Sequence, residues 1–340
     1  MIILGIETSC DETSAALLDD ETIIADEIYT QDIHSRYGGV VPEIASRAHL
    51  QKVGPLCRSV LDKGNMSVDK IDHLAVTDSP GLAGALLVGI SYAQGIHIRH
   101  KIPVTGINHL EGHIQSIFLE HPSLSYPFLS LIISGGHTAI YRVDDFGSYY
   151  CLGETIDDAA GEAFDKVGTM LGFSYPAGRS IEQEANRAGE KKAVRFPVAR
   201  LSTPGFDFSF SGLKTAVRNY LKGKDHEFIE NHKDVICKGF QDAVIKSLVN
   251  QLSAASEQTG ISRIVVAGGV ACNGTLRKAI ISRFGSTVFF PSPRFCTDNA
   301  AMIARAGLMR AKRNMVRYPR MAPSGGIGKV IQEISGNSKE

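Results

Sequence analysis

The chain has no tryptophan, no formal net charge and no paired cysteine motif. Lys and Arg together number 36, as do Asp and Glu, so a surface that is basic all over is excluded. A local basic patch survives that exclusion, and charge alone neither predicts nor forbids a nucleic-acid partner. The six cysteines (Cys10, Cys57, Cys151, Cys237, Cys272 and Cys296) form no C-x-x-C pair, and their scatter reads as reduced thiols of a cytoplasmic protein. No run of about 18 apolar residues occurs. The most apolar stretch, 81–98, is interrupted by Gly, Ser and Gln, so no membrane partner is expected. The opening MIILGIETSCDET has no basic region and reaches acid at Glu7, which does not suit a signal peptide. No G-x-x-x-x-G-K-[ST] is present, which excludes a P-loop ATPase.

What is present is a chain of 340 residues, 43% hydrophobic and 21% charged, with 34 glycines. That length suits two domains, and the glycine surplus suggests tight turns or backbone-lined ligand sites. Ile2–Ile6, the polar ETSCDETS and Ala15–Leu18 read as strand, turn and strand. Phe128–Ile133, SGGHT and Ala139–Val143 repeat that form. A third strand, Ile264–Ala267, runs through Gly268-Gly269 into a helix expected near Thr275. Helices are expected over about 41–63 with Pro42 at its start, after SPGLAG, over about 159–171 and over about 238–259. Strands alternating with helices indicate an α/β fold with a largely parallel sheet. The two strand–turn–strand units suggest duplicated halves facing one cleft. Residues 174–210 read as a loop-rich insertion, and the chain is expected to fray from about Lys312.

Five motifs carry candidate chemistry. His109 and His113, at i and i+4, share a helix face and can bind one metal; two surface histidines are the alternative. Glu111 sits about 200° around the helix from the first histidine, so the H-E-x-x-H arrangement of a zinc peptidase is absent. Ser134-Gly135-Gly136-His137-Thr138 offers free backbone N–H groups and hydroxyls for an anion, or is a plain hairpin. Gly268 to Asn273 opens a helix after a strand, a place for a nucleotide's phosphate or ribose. Asp298, before an Ala-rich helix, is either a third metal ligand or one of three possible N-caps with Thr297 and Asn299. Two histidines and a carboxylate leave open positions and suit iron or zinc better than magnesium or calcium. In the acidic turn, Asp11 and Glu12 are candidates for a catalytic base. Asp165 is placed as a helix-face carboxylate for ribose hydroxyls. The aromatics of Phe206–Val217 read as core, with base stacking as the alternative.

Taken in order, ETSCDETS, PEIASRAH, SPGLAGALLVG, INHLEGH, LIISGGHT, GEAFDKVG, FSFSGLKT, VAGGVACN and CTDNAAMIA closely resemble the TsaD/Gcp family of tRNA adenosine threonylcarbamoyltransferases over roughly residues 1–315. The resemblance implies a two-domain actin-like ATPase (ribonuclease H-like) fold. The first domain would comprise 1–108 and about 297–325, the second 109–296, with a basic tail over 326–340. It implies transfer of threonylcarbamoyl from threonylcarbamoyl-AMP to N6 of adenosine 37 in tRNA. By the same resemblance His109, His113 and Asp298 hold one divalent metal, Fe²⁺ ahead of Zn²⁺. Ser134, Gly135, Gly136, His137, Thr138, Asp165, Gly178, Glu182 and Asn273 would line the adenylate site. Implied partners are tRNA, a TsaB-like paralogue and a TsaE-like ATPase. The chain departs from the family's YPGGP at Ala177 and Arg179. A left-handed backbone at 177 would strain alanine by about 1 kcal/mol. Candidate tRNA cations are Arg195, Arg200, Lys214, Arg218, Lys222, Lys224, Lys312, Arg313, Arg317 and Arg320. Rival readings are a metallopeptidase, a small-molecule kinase on the same fold and a non-catalytic scaffold.

Overall fold

The computed structural model describes residues 1–199, 205–324 and 327. The strands are β1 (Ile2–Glu7), β2 (Glu12–Asp19), β3 (Thr22–Thr30), β4 (His73–Ser79), β5 (Val104–Asn108), β6 (Phe128–Ile133), β7 (Thr138–Asp145), β8 (Ser148–Glu154), β9 (Ile264–Ala267) and β10 (Val288–Phe289). The helices are α1 (Pro42–Lys63), α2 (Ala83–His100), α3 (His109–Gln115), α4 (Ala160–Met170), α5 (Gly178–Arg187), α6 (Ser211–Leu221), α7 (His226–Thr259), α8 (Gly274–Phe284), α9 (Pro293–Cys296) and α10 (Ala300–Lys312).

The duplication expected from the two hairpins is explicit in the topology. One sheet has the order β3-β2-β1-β4-β5, the other β10-β9-β6-β7-β8. In each, a hairpin (β1–β2 or β6–β7) is antiparallel and its third strand is antiparallel. The later strands then add in parallel. Parallel strands need crossovers, which α1, α2 and the α4–α7 segment supply. The first sheet buries one face under α1 and α2, around Leu4, Ile6, Val60, Leu74 and Leu86. Its other face lies against α10, around Ile3, Ala75, Ala304 and Leu308. The second sheet is covered by α4 to α8 on one side and by α3 on the other.

Helix α10 approaches its sheet closely because its face is alanine and glycine. A Cβ on Gly5 would lie 2.4 Å from the Ala300 carbonyl oxygen, and one on Gly307 would lie 2.4 Å from the Ala75 Cβ. This packing sets Asp298, two residues before α10, at the cleft.

Several sequence expectations change. Helix α7 begins at His226, well before 238, because Asp225 caps it by accepting from Phe228 N–H. The segment read as loop-rich contains α5, whose Ile181 and Ala185 face the core. Fraying from Lys312 does not hold for residues 313–323. Arg313 pairs with Asp145, Arg317 grips Asp78 through two 2.6 Å bonds, and Ala322 N–H donates to the Asp78 carbonyl. Of the tail expected over 326–340, only Ile327 lies within the described residues, and it is buried. No helix among the described residues is long and apolar enough to cross a membrane.

Candidate active site

Strand β5 ends at Asn108, whose side chain caps α3 by accepting from the N–H groups of Leu110 and Glu111. The helix therefore starts at His109, and one turn later His113 falls on the same side. Their rings lie edge to face with centroids 4.7 Å apart. Asp298 arrives from the other end of the chain. Its Oδ1 is 3.1 Å from His113 Nε2 and 3.4 Å from His109 Nε2. One ligand atom from each of the three lies within 4.8 Å of the others, a grouping that could hold a metal ion. Asn299, not Asp298, fills the N-cap of α10 by accepting from Met302 N–H. The capping alternative for Asp298 is thereby removed.

Glu7, expected only as the first of the carboxylates clustered in the acidic turn, instead holds the far side of His109. It is fully buried at the end of β1. Its Oε2 lies 3.0 Å from His109 Nδ1 and accepts from the Thr77 hydroxyl at 2.6 Å, while Oε1 accepts from Ser9 N–H at 2.5 Å. Such a carboxylate behind a histidine fixes the proton on Nδ1 and turns the Nε2 lone pair outward. The available signal was an acidic residue closing an otherwise apolar strand.

The electrostatics fit a divalent cation. Burial disfavours a charged His109, but Asp298 and Glu7 outweigh it and hold its pKa well above the usual value. Burial likewise opposes ionisation of Asp298 and Glu7, yet His109 keeps both below the ordinary carboxylate range. Burial pushes His113 down, toward the neutral form a ligand needs. A buried carboxylate behind His109 and a half-buried one in front of both imidazoles favour positive charge between them. A divalent ion with neutral histidines supplies it. The donor set of two nitrogens and one oxygen matches sites that keep open positions.

Glu111 lies on the opposite side of α3. It is buried, accepts two bonds from Arg310 (3.0 and 2.7 Å) and one from the Tyr149 hydroxyl (3.2 Å). A carboxylate so engaged cannot serve as the base of a metallopeptidase.

The SGGHT turn joins β6 to β7. Ser134 N–H donates to the His137 carbonyl, and His137 N–H donates to Ser134 Oγ. Gly135 and Gly136 are exposed. The Thr138 hydroxyl accepts from Ala160 N–H and Gly161 N–H donates to the Ser134 carbonyl, which seats the turn on the start of α4. The His137 ring lies 6.3 Å from that of His109, and burial followed by the two other histidines lowers its pKa to about 4. Gly268, at φ +94°, lies so close to Ile133 that a Cβ would sit 2.4 Å from its carbonyl oxygen. The third glycine turn is thus pressed against the end of β6.

In the acidic turn, burial raises the Glu12 pKa well above normal, with Asp298 and Asp11 adding to it. Across from it, burial raises Asp165 to about 6, and its Oδ1 accepts from Ala177 N–H at 2.7 Å. Tyr175 is raised by burial and then by Asp11 and Asp165, so groups from both halves share one acidic region. Gly178 opens α5. Glu182 accepts from Gly274 N–H, while Asn273 caps α8 and donates to Gln241. Both of these side chains also hold the fold together.

Ala177 sits at φ −97°, an ordinary value, so the strain considered for it does not arise. Gly168 makes room for it: a Cβ there would lie 2.1 Å from that of Ala177. Phe206, Phe208 and Phe210 are buried, which leaves no face for a base to stack on. Of the candidate tRNA cations, Lys214, Lys312, Arg313 and Arg317 are spent on Asp158, Asp20, Asp145 and Asp78. Arg200 lies outside the described residues.

Residues 22–305 match the TsaD family, described as tRNA N6-adenosine threonylcarbamoyltransferase. A protein of that name from Trichlorobacter lovleyi is 48% identical over 314 residues, covering 90% of this chain and 91% of the relative. One from Francisella tularensis subsp. novicida is 45% identical, covering 91% and 94%. Among solved structures, (R)-2-hydroxyglutaryl-CoA dehydratase component A of Acidaminococcus fermentans aligns with a TM-score of 0.56 at 15% identity, covering 92% of this chain and 99% of that one. HypF of T. kodakarensis aligns at 0.60 and 11%, covering 92% and 48%. These distant likenesses speak to the fold alone, the two-domain actin-like ATPase architecture.

Proposed function

The chain belongs to the TsaD family of tRNA N6-adenosine threonylcarbamoyltransferases, and from that premise we propose how its cleft carries out the transfer. The donor is threonylcarbamoyl-AMP and the acceptor is N6 of adenosine 37 in tRNAs reading codons that begin with A. The observation that carries the reading is the meeting of His109, His113 and Asp298, the last two 185 positions apart, within 4.8 Å.

The acceptor amine is a weak nucleophile because its lone pair is delocalised into the ring. The donor is a mixed anhydride with a good leaving group. Catalysis then rests on positioning and on stabilising developing charge. His109, His113 and Asp298 would hold a divalent cation, Fe²⁺ or Zn²⁺, which supplies Lewis-acid stabilisation of negative charge on donor oxygens. Glu7 keeps His109 in the ligating tautomer. The exposed Gly135 and Gly136 backbone presents donors to the acyl phosphate, with Ser134, His137 and Thr138 around them. Asp165, Gly178, Glu182 and Asn273 form the adenylate side. As N6 bonds to the carbamoyl carbon, the bond from that carbon to the phosphate oxygen breaks and AMP departs. The N6 proton passes to Glu12, whose pKa burial raises, or to Asp11.

TsaB-like and TsaE-like partners belong to the same proposal. The test is mass spectrometry of nucleosides from tRNA incubated with donor and the protein. Threonylcarbamoyl-adenosine is expected from the wild type and not from a His109→Ala, His113→Ala double variant. Full transfer by the double variant would remove the cation from the mechanism.

A further inference from the structure

Beneath the acidic turn lies a buried polar network that the chemistry above does not use. His49, two turns into α1, is fully buried. Its Nε2 lies 2.8 Å from the Cys10 carbonyl oxygen, and its Nδ1 lies 2.8 Å from the Thr13 hydroxyl. A carbonyl only accepts, so Nε2 carries the proton and Nδ1 accepts from the Thr13 O–H. One neutral imidazole thus grips the turn on both sides of Asp11 and Glu12. Burial favours that neutral form.

A second histidine extends the grip. Val41 N–H donates to His34 Nδ1 at 3.2 Å, which leaves the proton on Nε2 to donate to Gln31 Oε1 at 2.9 Å. The Gln31 amide nitrogen is thereby turned toward the Ala45 carbonyl at 3.4 Å. The Gln31 backbone N–H donates to the Asp11 carbonyl at 3.1 Å. The Gln31 amide nitrogen also lies 3.4 Å from His49 Nε2, and the carbonyl, hydroxyl and amide neighbours set each imidazole's tautomer. The turn from Cys10 to Thr13 is anchored to α1 and its approach segment at three points.

We propose that His49 is a positioning residue that holds the acidic turn so that Asp11 and Glu12 face the acceptor amine. The inference rests on the reading of that turn as the base-bearing element. Its ring touches no reacting atom; its effect passes through the backbone of residue 10 and the side chain of residue 13.

The test is steady-state transfer with preformed donor, using the full chain. His49→Phe keeps the ring's volume but strands the Cys10 carbonyl and the Thr13 hydroxyl. The expected result is a kcat lower by about 10–100-fold, the size of effect a small misplacement produces. KM for tRNA and bound metal per chain should stay unchanged. His49→Gln, which can still donate to Cys10, should recover part of the rate. Added to Glu12→Gln, His49→Phe should cost little more, since both act through one element. Thr13→Val carries the same test should His49→Phe not fold, and lowers kcat in the same direction. An undiminished kcat, a loss that tracks the folded fraction, or a full-sized additional loss in the Glu12→Gln background overturns the proposal. If Asp11→Asn and Glu12→Gln both keep the wild-type rate, the reading of the turn fails first and takes this inference with it.

Discussion

Replacing Glu7 with glutamine probes the metal site from behind. The carboxylate receives three donors: Ser9 N–H at 2.5 Å on one oxygen, and the Thr77 hydroxyl at 2.6 Å and His109 Nδ1 at 3.0 Å on the other. A glutamine of the same shape has one acceptor oxygen. If that oxygen stays with Thr77 and His109, the amide NH₂ faces Ser9 N–H, two donors in hydrogen-bonding range with nothing to accept. If the oxygen turns to Ser9, the NH₂ faces His109 Nδ1. The Nδ1 proton is then left with Ser9 Oγ, 3.2 Å away, as its remaining acceptor, or it shifts to Nε2, where it points at Asp298 and blocks the lone pair that a cation needs. Either outcome weakens the site without altering a ligand. Losing such a supporting carboxylate costs about 10–100-fold in metal affinity, or about 1.4–2.7 kcal/mol. The assay is calorimetric titration of metal-free protein with Zn²⁺, with circular dichroism to confirm the fold. An affinity within twofold of wild type would refute the assigned tautomer and, with it, Glu7's role.

Arg310→Met strands a buried Glu111 carboxylate, so unfolding free energy should fall by about 3–5 kcal/mol, or a melting point lower by about 4–7 °C for a chain of this length. Adding Glu111→Gln should recover more than half of that loss, and equal melting points for the single and double variants would show that the pair is not the cause. Asp165 has a folded-state pKa of about 6, above the ordinary 3.9, so its buried charge costs stability that is absent below about pH 4 and fully present above pH 6, on the order of 2–3 kcal/mol. Asp165→Asn keeps an acceptor for Ala177 N–H and should flatten the decline in urea midpoint between pH 4 and 6; an unchanged slope would refute the burial argument. Gly161→Ala puts a Cβ 2.6 Å from the Ser134 carbonyl oxygen and 2.8 Å from the Gly135 Cα, so the glycine turn must move. The donor's KM should rise about 5–150-fold, the equivalent of about 1–3 kcal/mol of overpacking, with metal content unchanged; an unaltered KM would separate that turn from donor binding.

Much of this protein was legible in local patterns. Apolar runs ending in polar or glycine turns marked β1, β6, β7 and β9 within a residue or two, and β2 except for its polar first three residues, because alternation and turn chemistry are properties of neighbours in the chain. Pro42 marked the start of α1, and the i, i+4 histidines shared a face because helix geometry requires it. The placement of Glu111 away from them followed from the same periodicity. The start of α7 was missed because its first turns are polar and only Asp225 announces them.

Other features belonged to tertiary structure. Sequence offered three caps for α10, and only the packing of that helix on β1 and β4 decides that Asn299 takes the cap while Asp298 turns to the histidines. Nothing near Glu7 says that His109, 102 positions away, rests on it, or that Arg317 is consumed by Asp78 rather than free for phosphate. Local sequence determined which segments are strands and helices, because those preferences are settled within a few residues. The crossovers of two like sheets decided which side chains meet in the cleft, because partners so far apart in sequence are chosen by chain topology and close packing, which no local period encodes.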